Sequence, residues 1–64
     1  MELLTIEEVA AMLKIQPKTV GNWLRAGKLP GVKLGDGRAA EWRVNKEDLE
    51  NYVKSRTTQV RNQE

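Results

Sequence analysis

Thr5-Ile6-Glu7-Glu8-Val9-Ala10-Ala11-Met12-Leu13, Lys14-Ile15-Gln16, Pro17-Lys18-Thr19-Val20-Gly21-Asn22-Trp23-Leu24-Arg25-Ala26-Gly27: this stretch decides the fold. Its first four residues have capping-box chemistry. The Thr5 hydroxyl can accept from the Glu8 amide, and the Glu8 carboxylate from the Thr5 amide. Leu4 and Val9 flank that cap at the spacing of a hydrophobic staple. Ile6, Val9, Ala10 and Leu13 then fall on one helical face, which predicts a helix over residues 5–13. Gln16 precedes proline and is steered away from helical backbone, so the helix cannot run on. Pro17 suits the first turn of a new helix, where its missing N–H costs nothing. Val20, Trp23 and Leu24 form the next apolar stripe, Gly27 supplies a stop, and Pro30 forbids continuation. The second helix is expected over about residues 17–26, with Gln16 a weak N-cap. Two helices of about nine or ten residues joined by a turn of about three make a helix-turn-helix by spacing alone.

Outward from this pair, Val32-Lys33-Leu34 alternates like a half-buried strand. Gly35-Asp36-Gly37 is a hairpin signal, since glycine and aspartate tolerate positive φ. On the return strand Ala40, Trp42 and Val44 point one way, and Glu41 and Arg43 the other. The pattern predicts a β-hairpin over residues 32–44, with Lys33 and Arg43 on its outward face and Arg38 at its tip. Asn45 caps a third helix, Asp48 suits its dipole, and Val44 with Leu49 makes a second staple. Leu49, Tyr52 and Val53 form its apolar stripe, and it should end near Ser55. Residues 56–64 hold one apolar side chain, too little to order them alone, and are expected to be a flexible tail. The expected architecture is α+β. It is a winged helix-turn-helix, with a two-stranded hairpin wing and a C-terminal helix, as one domain over 1–55 and a tail over 56–64.

The 64 residues are enough for one domain, with a core of marginal size. There is no cysteine, hence no disulfide or thiolate metal site, and no histidine. A metal or other cofactor is not expected, and acid–base catalysis lacks its commonest side chain. Glu7, Glu8, Glu47, Asp48 and Glu50 sit at helix starts, where capping and the dipole account for them. With no phosphate loop and no nucleophile constellation, the chain is not expected to be an enzyme. No run approaches the ~20 apolar residues of a membrane helix. The start lacks the basic, apolar pattern of a signal peptide, so a cytoplasmic location is expected. The net charge of +2 is unevenly spread: residues 1–13 sum to −3, residues 14–43 to +5, and the remainder balances. A positive middle fits a polyanion-binding face, and equally an ordinary solvated surface.

The polar face of the second helix is more specific. With Val20, Trp23 and Leu24 turned inward, Lys18, Gly21, Asn22 and Arg25 fall opposite, with Thr19 beside them. Arginine can donate twice to guanine, asparagine can pair with adenine, and the threonine methyl can meet that of thymine. Any solvated helix face is also polar. In the hairpin, Lys33, Arg38 and Arg43 can grip phosphate or enter a minor groove, or simply keep a hairpin soluble. Trp23 and Trp42 can stack on bases, but both lie on faces assigned to the core.

In four blocks the chain resembles a known family. Leu4-Thr5-Ile6-Glu7-Glu8-Val9-Ala10, Thr19-Val20-Gly21-Asn22-Trp23-Leu24-Arg25-Ala26-Gly27-Lys28-Leu29-Pro30, Trp42-Arg43-Val44 and Glu47-Asp48-Leu49 are similar to the excisionase-like helix-turn-helix proteins, relatives of the DNA-binding domain of MerR-type regulators. The blocks cover about residues 3–54. The resemblance implies a winged helix whose second helix enters a major groove while the hairpin touches the adjacent minor groove. It implies functional positions at Lys18, Thr19, Asn22 and Arg25, with Arg38 in the wing. It further implies several copies on repeated DNA sites and, for excisionases, DNA bending that assists an integrase. Three features depart from the family pattern. Lys14 stands where glycine is frequent, Gly21 replaces a larger residue, and the Gly35–Glu41 segment is longer than in many relatives.

The expected partner is double-stranded DNA, read sequence-specifically by Lys18, Thr19, Asn22, Arg25, Lys28, Lys33, Arg38 and Arg43. The leading expectation is an excisionase, or recombination directionality factor, whose tail at 56–64 engages an integrase of the tyrosine recombinase class. The chain would be a monomer in solution that associates with other copies of itself on DNA. The alternatives are a small transcriptional regulator of a mobile element, or a protein-interaction module that keeps the fold without binding DNA.

Overall fold

A computed structural model describes residues 1–37 and 40–57. The elements run β1 (Leu3–Leu4), α1 (Ile6–Leu13), α2 (Pro17–Arg25), β2 (Val32–Leu34), β3 (Glu41–Asn45) and α3 (Lys46–Arg56). The three strands form an antiparallel sheet in the order β1-β3-β2. The architecture is α+β: a helix-turn-helix, a hairpin wing and a C-terminal helix. The expected tail lies outside the described residues from residue 58 onward, and α3 runs to Arg56, one residue past Ser55.

Local chemistry sets the helix boundaries. The Thr5 hydroxyl accepts from the Glu8 amide at 3.1 Å, and Glu8 accepts from the Thr5 amide at 2.8 Å, so both halves of the capping box are made. Pro17 occupies the first turn of α2, and Gln16 caps it without a side-chain hydrogen bond. The Asn45 side chain accepts from the Glu47 amide at 2.9 Å and starts α3. Acidic residues open α1 and α3, and Lys54 and Arg56 close α3, each in the sense the helix dipole favours.

α1 ends at Lys14, which adopts left-handed backbone with φ 59 and ψ 44. The Ile15 amide then reaches back to the Ala10 carbonyl at 3.0 Å, closing a Schellman-type turn. A side chain in this conformation costs about 1–2 kcal/mol. Glycine would remove that strain but return roughly 0.5–1 kcal/mol through the freedom of the unfolded chain. Lys14→Gly is therefore expected to stabilise the domain by about 0.5–1 kcal/mol, raising the melting temperature by roughly 2–8 °C. A thermal melt followed by circular dichroism checks this, and an unchanged or lower midpoint contradicts it.

The core is Leu4, Val9, Ala10, Val20, Leu24, Leu29, Val44 and Leu49. Ile6, Leu13, Ile15, Trp23, Trp42 and Tyr52 pack against it, partly buried. Both staple pairs, Leu4 with Val9 and Val44 with Leu49, are buried.

The sequence pattern carries no sign of β1. Leu3 pairs with Asn45 and Leu4 with Val44, and the Lys46 amide donates to the Glu2 carbonyl at 2.8 Å. The start of the chain is thereby sewn to the junction of β3 and α3. The hairpin turns where expected but differs in the face that β2 presents. Gly35 and Gly37 take positive φ, at 90 and 70, in the connection between Leu34 and Glu41. The register pairs Val32 with Arg43, Lys33 with Trp42, and Leu34 with Glu41. Residues paired across antiparallel strands share a face. Lys33 therefore shares the face of Trp42, and Val32 and Leu34 lie on the outer face, 39% and 42% exposed. The expected half-burial of Val32 and Leu34 is not met, since all three residues of β2 are exposed.

Candidate nucleic-acid interface

α2 presents Lys18, Asn22 and Arg25 exposed, with Thr19 half-buried and Lys28 exposed just beyond the helix. The stripe of Val20 and Leu24 is buried, and Trp23 packs partly buried against the core. This is the orientation the sequence required, with the indole toward the protein and Arg25 outside. Gly21 is the exception on this face, because it is buried rather than open. Its cover is Arg25. A Cβ built on Gly21 would stand 3.4 Å from Arg25 Nη1, and its three nearest atoms all belong to that guanidinium. Arg25 Nη2 also donates to Asn22 Oδ1.

The wing stands beside this helix. Arg25 from α2, Lys33 and Trp42 from the paired strands, and Gly37 and Ala40 from their connection line one cleft. The alternation pattern sets Lys33 on the outward face with Arg43; the register puts it on the opposite face, toward Arg25. Arg43 lines an adjoining cleft with Arg25, Trp42, Glu7 and Glu41, and its guanidinium is already engaged. Its Nη2 meets Glu41 Oε1 at 2.9 Å, its Nη1 donates to the Trp42 carbonyl at 3.0 Å, and its side chain is 30% exposed. Arg38, expected at the wing tip, lies outside the described residues. Trp42 is the residue whose place in the cleft the sequence does not reveal. Its alternation with Val44 marks it as core, and it does pack on the core, but its partial burial leaves it lining the cleft as well.

Of the acidic residues expected at helix starts, Glu7 and Glu8 open α1 and Glu47 and Asp48 open α3, whereas Glu50 lies past the first turn of α3. Among the described residues, no helix is long and apolar enough to cross a membrane.

Two helices joined by a three-residue turn, the second with basic and amide side chains outward and a hairpin alongside, define a helix-turn-helix DNA-binding domain with a wing. The chain belongs to the Helix-turn-helix domain family, whose model matches residues 3–57. It is 38% identical over 52 residues to the transcriptional repressor DcmR of Methylorubrum extorquens, covering 81% of this chain and 19% of that protein. It is 42% identical over 48 residues to the uncharacterized protein YvgK of Bacillus subtilis, covering 75% of this chain and 14% of that one. The chain thus spans less than a fifth of the length of either relative.

Proposed function

We propose that residues 1–55 form a sequence-specific reader of double-stranded DNA that serves transcription regulation. α2 lies in the major groove with Lys18, Thr19, Asn22 and Arg25 toward the bases, and Lys28 and Lys33 neutralise phosphates. Arg38 reaches the flanking minor groove. The observation that carries this reading is the cleft lined by Arg25 of the helix together with Lys33 and Trp42 of the wing. A sugar–phosphate strand passing between helix and wing would meet positive charge from both sides. The repressor activity in the name of one relative supports the regulatory role.

A second reading, excision of a mobile element, has its own support. Val32 and Leu34 leave an apolar outer face on edge strand β2. Such a face suits copies of the chain set side by side on repeated sites, bending the DNA for an integrase. Footprinting separates the readings: tandem protected repeats with a strong bend favour excision, and an isolated operator favours regulation.

The test of DNA binding is a retardation assay across salt concentrations. About four phosphate contacts give a roughly 100-fold loss of affinity between about 50 and 200 mM salt. Lys33→Ala is expected to lower the slope of log K against log salt by about 1, whereas Arg43→Ala, already paired with Glu41, changes it little. Salt-independent binding, or no binding to any duplex, would leave the protein-interaction alternative.

A further inference from the structure

An asparagine on a reading helix pairs with adenine by accepting from N6 through Oδ1 and donating to N7 through its amide. As it stands, one of the two lone pairs of Asn22 Oδ1 is already taken by Arg25 Nη2, so the amide is committed first to its neighbour on the helix. The Arg25 guanidinium lies back over Gly21, in the direction long helical side chains lean, toward the helix N-terminus. A side chain longer than alanine at position 21 would occupy that space. The guanidinium carries five N–H donors in a planar fork. One of them directed at Asn22 leaves a pair for guanine O6 and N7.

Resting on the reading of α2 as the DNA-facing helix, we infer that Asn22 and Gly21 are positioning residues for Arg25, and that Asn22 reads no base itself. Asn22 holds the plane of the guanidinium and Gly21 leaves room beneath it. Part of the rotamer freedom that arginine would lose on docking is then lost before DNA arrives. The pair specifies guanine through one side chain instead of guanine and adenine through two.

Site selection from a randomised duplex pool, using the full chain and the variants R25A, N22A and N22D, tests this. N22D keeps the acceptor for Arg25 and removes the amide donor that adenine readout needs. The expected result is a guanine position that depends on Arg25, survives in N22D, and relaxes at least about fivefold in N22A. A bidentate contact supplies roughly 5- to 150-fold discrimination in all. In the free protein, the NMR order parameter of the Arg25 Nε–H should fall in N22A and hold in N22D. An adenine preference lost in N22D while guanine selection persists in N22A overturns the inference and leaves DNA reading intact. A wild-type chain that selects no sequence overturns both.

Discussion

Arg25→Ala is expected to weaken binding to the specific duplex by about 1–3 kcal/mol, roughly 5- to 150-fold, and to flatten the preference at one base position. Arg25 is exposed, and its hydrogen bond to Asn22 is also on the surface. Its removal opens Gly21 to water without emptying any core space, so the melting temperature should move little, as for other surface changes within about 0.5 kcal/mol. Competition titrations at fixed salt, on the selected site and on variants at each position, separate loss of specificity from loss of charge. Loss of one phosphate contact would lower affinity for all sequences alike; loss of a base contact lowers it most on the preferred one. Equal affinities of R25A and wild type for the specific site would remove α2 from the reading role.

Leu49→Ala has the largest expected effect on the fold. Leu49 is 1% exposed, on α3, in the same core as Leu4, Val9 and Val44. Truncating a buried leucine to alanine costs about 2–5 kcal/mol, from lost transfer energy and the cavity left behind. At roughly 0.05–0.15 kcal/mol per residue, a domain of this size has only about 3–10 kcal/mol in total. Chemical denaturation is expected to show a large fall in the midpoint, and at the lower end of that range a chain mostly unfolded at about 37 °C. DNA binding should fall in proportion to the folded fraction and recover on cooling. A midpoint within experimental error of wild type would mean that α3 does not hold the wing and the helix pair together.

The helix-turn-helix was legible because its determinants are close in sequence. Thr5 and Glu8 close their box within one turn, Pro17 starts α2, and Asn45 starts α3. The candidate face of α2 followed from the helical period of about 3.6 residues. β1 was not legible, since two residues show no period and Leu3–Leu4 becomes a strand only by pairing with Val44 and Asn45, far along the chain. Nor was the burial of Gly21, which comes from the way the Arg25 side chain folds back, a matter of rotamer and not of position. The pairing of Arg43 with Glu41, two residues apart on one strand face, had a sequence signal in their alternation and opposite charge.

By itself, then, the sequence determined the helices, their caps and the outward set of Lys18, Asn22 and Arg25, because caps, prolines and helical periodicity act over a few residues. Tertiary structure alone decided which face of the hairpin meets α2. The connection between Leu34 and Glu41 leaves the register open to a one-residue slip, and such a slip exchanges the two faces. The sheet pairing that sets Lys33 opposite Trp42 settles it, and so brings Lys33 into one cleft with Arg25, while Arg43 shares an adjoining cleft with Arg25, Glu7 and Glu41.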